Sequence, residues 1–164
     1  MRIAYLGRSL VAAVALVGVM SGCSNGDSAD PTHPHATSTA SPCPTPTSAA
    51  GLSVALVEWA INPAQSSVEA GRITFRASNS GAHKHELVIT RGGDPAQLPR
   101  KDGLVDEGAL PAGVLVGQIE GVAPGRTCEA AFTMTVGRYV LFCNLLHGTE
   151  NHLSNGMVTV LTVT

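Results

Sequence analysis

The sequence predicts an all-β protein whose folded part is an antiparallel β-sandwich. Seven short runs after residue 51 are rich in β-branched and aromatic residues, and turns containing Gly or Pro separate them. In one run, Ile73, Phe75 and Ala77 alternate with polar residues, as in a strand that buries one face. The third observation is size, because residues 51–164 supply enough chain for one small core.

The N-terminus has the features of an export signal. Arg2 and Arg8 precede the apolar stretch 10–20, which is too short to span a bilayer. Met20-Ser21-Gly22-Cys23 resembles the bacterial lipoprotein cleavage box, although that box prefers Leu at its first position. We expect cleavage after residue 22 and lipidation of Cys23, which would anchor the protein to the outer face of the bacterial cell membrane. The alternative is an ordinary cleaved signal that leaves a free secreted protein.

Residues 23–50, beginning with the lipidated Cys23, are predicted to form a disordered linker. They are mainly Ser, Thr, Pro, Ala and Asp, and such a composition cannot offset the entropic cost of ordering. His33, His35 and Cys43 are interpreted as incidental residues of this linker, with transient metal binding as the alternative. The net charge is −2 and no basic stripe is present, which argues against a nucleic-acid partner.

The predicted strands follow one another at short intervals along the folded part. They are residues 52–61, 72–79, 85–91, 116–122, 127–135, 138–144 and 157–164. Val136-Gly137 joins two of these runs tightly, which indicates a hairpin. The segment 92–113 contains three prolines and is expected to be irregular or to hold a short helix.

Four side chains with metal-binding atoms lie near the ends of predicted strands. They are His85, Cys143, His152 and Met157. Two imidazoles, a thiolate and a thioether form the ligand set of a blue-copper site. The sulfur donors suit Cu(I) and the imidazoles also serve Cu(II), so one cage can hold both oxidation states. We therefore predict one type 1 copper ion, with Met157 as a long axial contact that tunes the redox potential.

The order of these residues resembles that of the cupredoxin family, in particular its small plastocyanin-like and sulfocyanin-like bacterial members. The resemblance covers residues 66–164. The family's first ligand loop is Asn-x-Gly followed by His-Glu, and its closing loop ends His-x-x-x-Gly-Met. The matching residues are Asn79, Gly81, His85, Glu86, His152, Gly156 and Met157. The resemblance implies a Greek-key β-sandwich, residues 51–164, that holds copper at one end between the two loops.

Two neighbouring histidines are alternatives to the predicted ligands. Cys143 and His152 are nine positions apart, whereas many family members have five, so the closing loop is four residues longer. His147 is therefore an alternative to His152, and His83 is an alternative to His85. The family spacings favour His152 and His85 in both cases.

Three polar residues are candidates for holding the ligand loops together. Asn79 belongs to the first ligand loop, while Glu86 and Asn144 each directly follow a predicted ligand. Side chains beside metal ligands commonly hydrogen-bond across a site. For Glu86 and Asn144, ordinary polarity at a strand end is the alternative.

The remaining cysteines and the tryptophan have simpler interpretations. Cys128 is interpreted as a small core residue, with a Cys43–Cys128 disulfide as the alternative in an exported protein. Cys143 is expected to remain a free thiolate for copper. Trp59 is expected to pack in the core.

These features predict an electron carrier and not an enzyme, since no open coordination position or acid–base constellation is evident. The electron is expected to pass through His152 during a transient contact with a redox protein, below roughly 1,200 Å². Leu145, Leu146 and Leu153 would form an apolar rim around that contact, and a monomer is expected. The alternatives are an extracytoplasmic copper-delivery protein without redox cycling, and a metal-free module that binds a protein.

Overall fold

The computed structural model describes residues 43, 44, 46 and 50–164. All of them belong to one of the chain's two compact units, which spans residues 35–164. The predicted signal peptide (1–22), the lipidation site Cys23 and most of the predicted linker lie outside the described residues. No helix within the described part is long and apolar enough to cross a membrane.

Short β-strands make up most of the described chain, which confirms the all-β prediction. The strands are β1 (Leu52–Val57), β2 (Ala60–Pro63), β3 (Ser67–Val68), β4 (Gly71–Asn79), β5 (His85–Arg91), β6 (Arg100–Lys101), β7 (Leu104–Val105), β8 (Leu115–Val122), β9 (Thr127–Met134), β10 (Gly137–Phe142), β11 (Leu146–His147), β12 (Glu150–Asn151) and β13 (Val158–Val163). Two 3-10 helices, Pro95–Gln97 and Glu107–Ala109, lie in the segment that was expected to be irregular.

The strands form a sandwich of two sheets, with the orders β2-β1-β4-β9 and β3-β13-β10-β5-β8. The predicted β-sandwich is confirmed, but its sheets are mixed and not wholly antiparallel, because the pairs β1–β4 and β13–β3 are parallel. Strand β2 lies in the first sheet and β3 in the second. The chain thus crosses to the other sheet before it returns as β4, and a parallel pair requires such a crossover.

Two predicted connections differ from the observed ones. The run 52–61 is not one strand but the hairpin β1–β2, with Glu58-Trp59 at its turn. The link Val136-Gly137 is not a hairpin, because β9 pairs with β4 whereas β10 pairs with β5 and β13. It is a corner at which the chain passes from one sheet to the other.

The side chain of Tyr139 fixes this corner. Its hydroxyl donates to the carbonyl oxygen of Thr135 at 2.7 Å and accepts from the N–H of the same residue at 3.1 Å. The tyrosine ring is almost fully buried in the core. Because its hydroxyl binds both backbone groups of Thr135, the tight link holds a defined turn between the sheets.

The main core fills the space between the two sheets. Phe75 and Ala77 of the alternating strand are fully buried, as predicted, and Ile73 is half-buried. A second apolar cluster lies under the segment 92–114 and comprises Val88, Leu98, Val105, Val140, Phe142 and Leu153. Strand β10 contributes to both clusters, so its side chains are buried on both faces.

A disulfide joins Cys43 to Cys128, two residues 85 positions apart. The sulfur of Cys128 is buried on β9, and the N–H of Glu129 donates to the carbonyl oxygen of Pro44 at 3.2 Å. The interpretation of Cys43 as incidental is therefore wrong, and the alternative pairing is observed. The sequence could not decide this, because pairing depends on where the chain before β1 lies against β9.

We expect the double variant Cys43→Ala/Cys128→Ala to fold but to be less stable. The bond closes a long loop, and loss of such a constraint costs about 2–4 kcal/mol of unfolding free energy. Urea denaturation of the two proteins at one pH measures this difference. Reductant should lower the midpoint of the wild type and leave that of the double variant unchanged; equal midpoints without reductant would contradict the prediction.

Candidate metal centre

The first ligand loop connects β4 to β5 and is folded by Asn79. The side-chain amide of this buried residue donates to the carbonyl oxygens of His83 (2.7 Å) and Val122 (2.8 Å). The side-chain oxygen Oδ1 of Asn79 accepts from the N–H of Gly81 at 2.8 Å. Asn79 thus closes the loop on itself, and His85 follows as the first residue of β5.

The closing loop begins directly after β10 and is held by backbone hydrogen bonds. The N–H of Cys143 donates to the carbonyl oxygen of Met157 at 3.1 Å, and the N–H of Met157 donates to that of His152 at 3.0 Å. The loop's extra length is taken up by the two-stranded ribbon β11–β12, in which His147 pairs with Glu150. The longer loop is therefore folded and does not open the site.

Three predicted donor atoms meet in one buried place. Nδ1 of His85 and Nδ1 of His152 are 3.1 Å apart, and Sγ of Cys143 lies 3.3 Å from the latter. One donor atom from each of the three residues lies within 4.8 Å of the other two. The three side chains and that of Met157 are 0% exposed, and Cys143 is a free thiol.

The two alternative histidines lie outside this cluster. The rings of His83 and His147 stack on each other with centroids 3.9 Å apart. His147 is exposed, and Nδ1 of His83 lies 3.9 Å from a carboxylate oxygen of Glu58 and 3.8 Å from one of Glu150. The structure therefore brings His85 and His152 together with Cys143, and places His83 and His147 nearer the surface.

Burial controls the protonation of the three donors. It lowers the pKa of the His85 imidazole, against the opposing effect of Glu58, and lowers the pKa of His152, where neighbouring histidines add to the effect. It also raises the pKa of the Cys143 thiol to about 11. Without a metal the site thus holds neutral imidazoles and a protonated thiol near neutral pH, and a metal ion must displace the thiol proton.

The donor set fits a copper ion. The donor atoms of two imidazoles and a thiol converge among fully buried side chains, so a cation there would be bound without competing solvent. Hard cations such as Mg²⁺ and Ca²⁺ prefer oxygen ligands, whereas two imidazoles, a thiolate and a thioether are typical of type 1 copper. Met157, the predicted fourth ligand, is fully buried, and its N–H donates to the carbonyl oxygen of His152.

Glu86 and Asn144 join the ends of the two ligand strands. The carboxylate of the nearly buried Glu86 accepts from the N–H of Asn144 at 2.9 Å. The side chain of Asn144 in turn accepts from the N–H of Val105 at 2.8 Å and donates to Glu107 at 3.1 Å. These contacts link His85 and Cys143 through the residues that follow them.

Two residues at the turn of the β1–β2 hairpin contact the site and were not predicted to do so. The half-buried Trp59 packs edge-on against the ring of His152, with centroids 5.3 Å apart. A carboxylate oxygen of Glu58 lies 3.1 Å from Nε2 of His85, a residue 27 positions later in the chain. One feature of the sequence indicates a special role for Glu58: it is the only charged residue in the apolar run 52–61.

Several solved structures have the same fold as this chain. Auracyanin from the photosynthetic bacterium Roseiflexus castenholzii, in a dithionite-reduced state, is 25% identical with a TM-score of 0.51, covering 68% of this chain and 94% of that one. Auracyanin B is 22% identical (TM-score 0.51; coverage 76% and 96%), and rusticyanin from Thiobacillus ferrooxidans is 14% identical (TM-score 0.50; coverage 69% and 75%). The chain has the cupredoxin fold. No protein-family profile and no curated protein sequence matches it.

The buried Glu86 should give this protein a characteristic pH dependence of stability. Burial raises the pKa of Glu86 to about 7 from an ordinary value of 4.5. The folded state thus holds the proton more tightly than the unfolded chain, so this contribution to stability is full below pH 4.5 and is lost as pH rises through 7. Glu86→Gln should abolish this loss of unfolding free energy, about 3 kcal/mol.

Urea denaturation of copper-free protein between pH 4.5 and 8 measures the effect as the difference between wild type and Glu86→Gln. This difference removes the titration of groups that the two proteins share. Glu69→Gln, which changes an exposed carboxylate far along the chain, is the matched control and should follow the wild type. Parallel pH profiles for wild type and Glu86→Gln would show that the carboxyl group is not buried as described.

Proposed function

We propose that this cupredoxin is a type 1 copper protein that carries single electrons between redox partners outside the cytoplasm. The observation that carries the proposal is the convergence of His85, Cys143 and His152 in one buried cluster. The similarity to a dithionite-reduced auracyanin supports it, because that protein has been observed in a reduced state. We propose no catalytic turnover, since these donors would all be occupied in holding the metal.

The bound copper would supply a one-electron couple, and the chain would keep the same donors in place for both oxidation states. Backbone hydrogen bonds connect Cys143, Met157 and His152 in series, and the bond from Asn144 to Glu86 ties their loop to β5. Burial of the donors excludes water from the site. Both features oppose rearrangement of the ligands, so electron exchange requires little movement.

The electron would leave toward the ribbon β11–β12. His152 itself is fully buried, so its imidazole does not reach the surface. The ring of His83 lies 6.2 Å from that of His152, and the exposed His147 stacks on His83. Leu146 is 53% exposed beside them, whereas Leu153 is buried. We propose that a redox protein makes a small transient contact at Leu146 and His147, above His152.

Burial of the donors favours electron transfer over copper delivery. A delivery protein must pass its ion to the ligands of an acceptor, and ligand exchange of that kind requires access to the ion. Here the three donors are 0% exposed, and Trp59 and His83 pack around His152. Electrons can cross such a packed layer, whereas a metal ion cannot cross it without movement of the loops.

Export and lipid anchoring at Cys23 complete the proposal. The Cys43–Cys128 disulfide supports an oxidising location, because such bonds persist outside the cytoplasm and are rare within it. The bond also ties the chain that follows Cys23 to β9. A lipid on Cys23 would therefore keep the copper domain close to the membrane surface.

Copper-loaded wild type should show an intense absorption in the orange-red region from thiolate-to-copper charge transfer, and this absorption should bleach on reduction and return on oxidation. Cys143→Ser should lose the absorption, because the thiolate is its source. His147→Ala is the matched control and should retain it. The proposal fails if copper-loaded wild type stays colourless, and the ligand assignment fails if His147→Ala is colourless while Cys143→Ser is not.

Lipid anchoring is tested by Cys23→Ala in the full-length chain expressed in bacteria. The wild type should incorporate labelled palmitate and sediment with membranes, while the variant should do neither, because it lacks the acceptor sulfur. Cys43→Ala, which alters a cysteine in the disulfide, should still be labelled. An unlabelled wild type would leave an exported copper protein without this anchor.

A further inference from the structure

The carboxylate of Glu58 contacts both the backbone of the first ligand loop and the ring of a predicted ligand. One oxygen accepts from the N–H of His83 at 2.7 Å and from that of Ala82 at 2.9 Å. The same oxygen lies 3.1 Å from Nε2 of His85. This is the ring nitrogen that does not face the donor cluster, since Nδ1 of His85 faces His152.

The direction of the contact with His85 follows from the other partners of Glu58. The oxygen that faces Nε2 already accepts from the N–H groups of His83 and Ala82, and hydrogen bonds of this kind favour the ionised carboxylate. An ionised carboxylate can only accept hydrogen bonds. The Nε2–H of His85 must therefore donate, which leaves Nδ1 without a proton and its lone pair available to a metal.

The chain leaves space for this contact. A Cβ atom at Gly81 would collide with the carboxylate of Glu58, so glycine permits the close approach of loop and carboxylate. The other imidazole has no comparable support, because Nε2 of His152 is buried without a hydrogen-bond partner among the described residues. His85 is thus the imidazole whose orientation is fixed by a charged group.

We propose that Glu58 is a positioning residue of the metal centre, which holds His85 as the Nε2–H tautomer and directs Nδ1 toward Cys143 and His152. The proposal deepens the proposed function and rests on it for the role of His85 as a ligand. A carboxylate behind a metal-bound imidazole fixes the ring and makes the ligand more basic. Its negative charge should also favour Cu(II) over Cu(I), because the oxidised ion carries the larger positive charge.

The test compares Glu58→Gln with the matched control Glu150→Gln in the full chain. Both changes remove one carboxylate charge beside His83, but Glu150 has no hydrogen bond to His85 among the described contacts. The first readout is the tautomer of His85 by ¹⁵N NMR in copper-free protein. Wild type and Glu150→Gln should show a protonated Nε2 and an unprotonated Nδ1, and Glu58→Gln should hold this preference more weakly, because a neutral amide oxygen accepts a weaker hydrogen bond than a carboxylate.

The second readout is copper affinity in both oxidation states. Glu58→Gln should weaken Cu(II) binding about 10-fold more than Cu(I) binding, the lower end of the effect of such outer residues. That ratio corresponds to a reduction potential about 59 mV higher. Glu150→Gln should change the ratio less, since its charge does not reach His85 through a hydrogen bond.

Equal effects of the two variants on tautomer and affinity ratio would overturn the proposal, because they would reflect general electrostatics alone. If Glu58→Gln does not fold, the tautomer of wild-type His85 decides: a protonated Nε2 supports the proposal and a protonated Nδ1 overturns it. The tautomer measurement needs no copper. A wild type that stays colourless with copper but shows protonated Nε2 would therefore refute the proposed function and leave the positioning role intact.

Discussion

Removal of the donor atoms from water is the constraint on which the rest of this structure depends. His85, Cys143 and His152 come from two separate loops, and burying them requires those loops to meet in fixed positions. Burial of polar atoms is costly unless each is bonded or satisfied by an ion. Hydrogen bonds hold the two loops in position. The side chain of Asn79 binds the backbone of the first ligand loop, and the carboxyl group of Glu86 binds the N–H of Asn144.

The long closing loop contributes to the packed side chains that lie between His152 and the protein surface. Its extra residues form the ribbon β11–β12, and His147 of that ribbon stacks on His83 of the first ligand loop. The rings of Trp59 and His83, which come from other parts of the chain, lie 5.3 and 6.2 Å from the ring of His152. The protein thus gains protection from water and retains a packed route from the buried imidazole to the exposed His147.

Much of the fold and the donor cluster could be predicted from the sequence, because both depend on local signals. The strand His85–Arg91 was predicted with its observed bounds, since its apolar run ends at charged and glycine residues. The corner at Val136-Gly137 was not predicted, because a tight link has the same local sequence whether it joins neighbouring strands or two sheets. Glu58 was missed for a related reason: its partner His85 is distant in the sequence, and no local motif joins them.

The disulfide between Cys43 and Cys128 leaves Cys143 as the free thiol among the described cysteines. In an oxidising compartment, a thiol that is needed for metal binding can be lost if it forms a disulfide with another cysteine. Here the sulfurs of Cys43 and Cys128 are bonded to each other, and that of Cys143 is buried in the core as a thiol whose pKa is raised. Exported chains with this arrangement can mature under oxidising conditions and still present a sulfur that is competent to receive a metal.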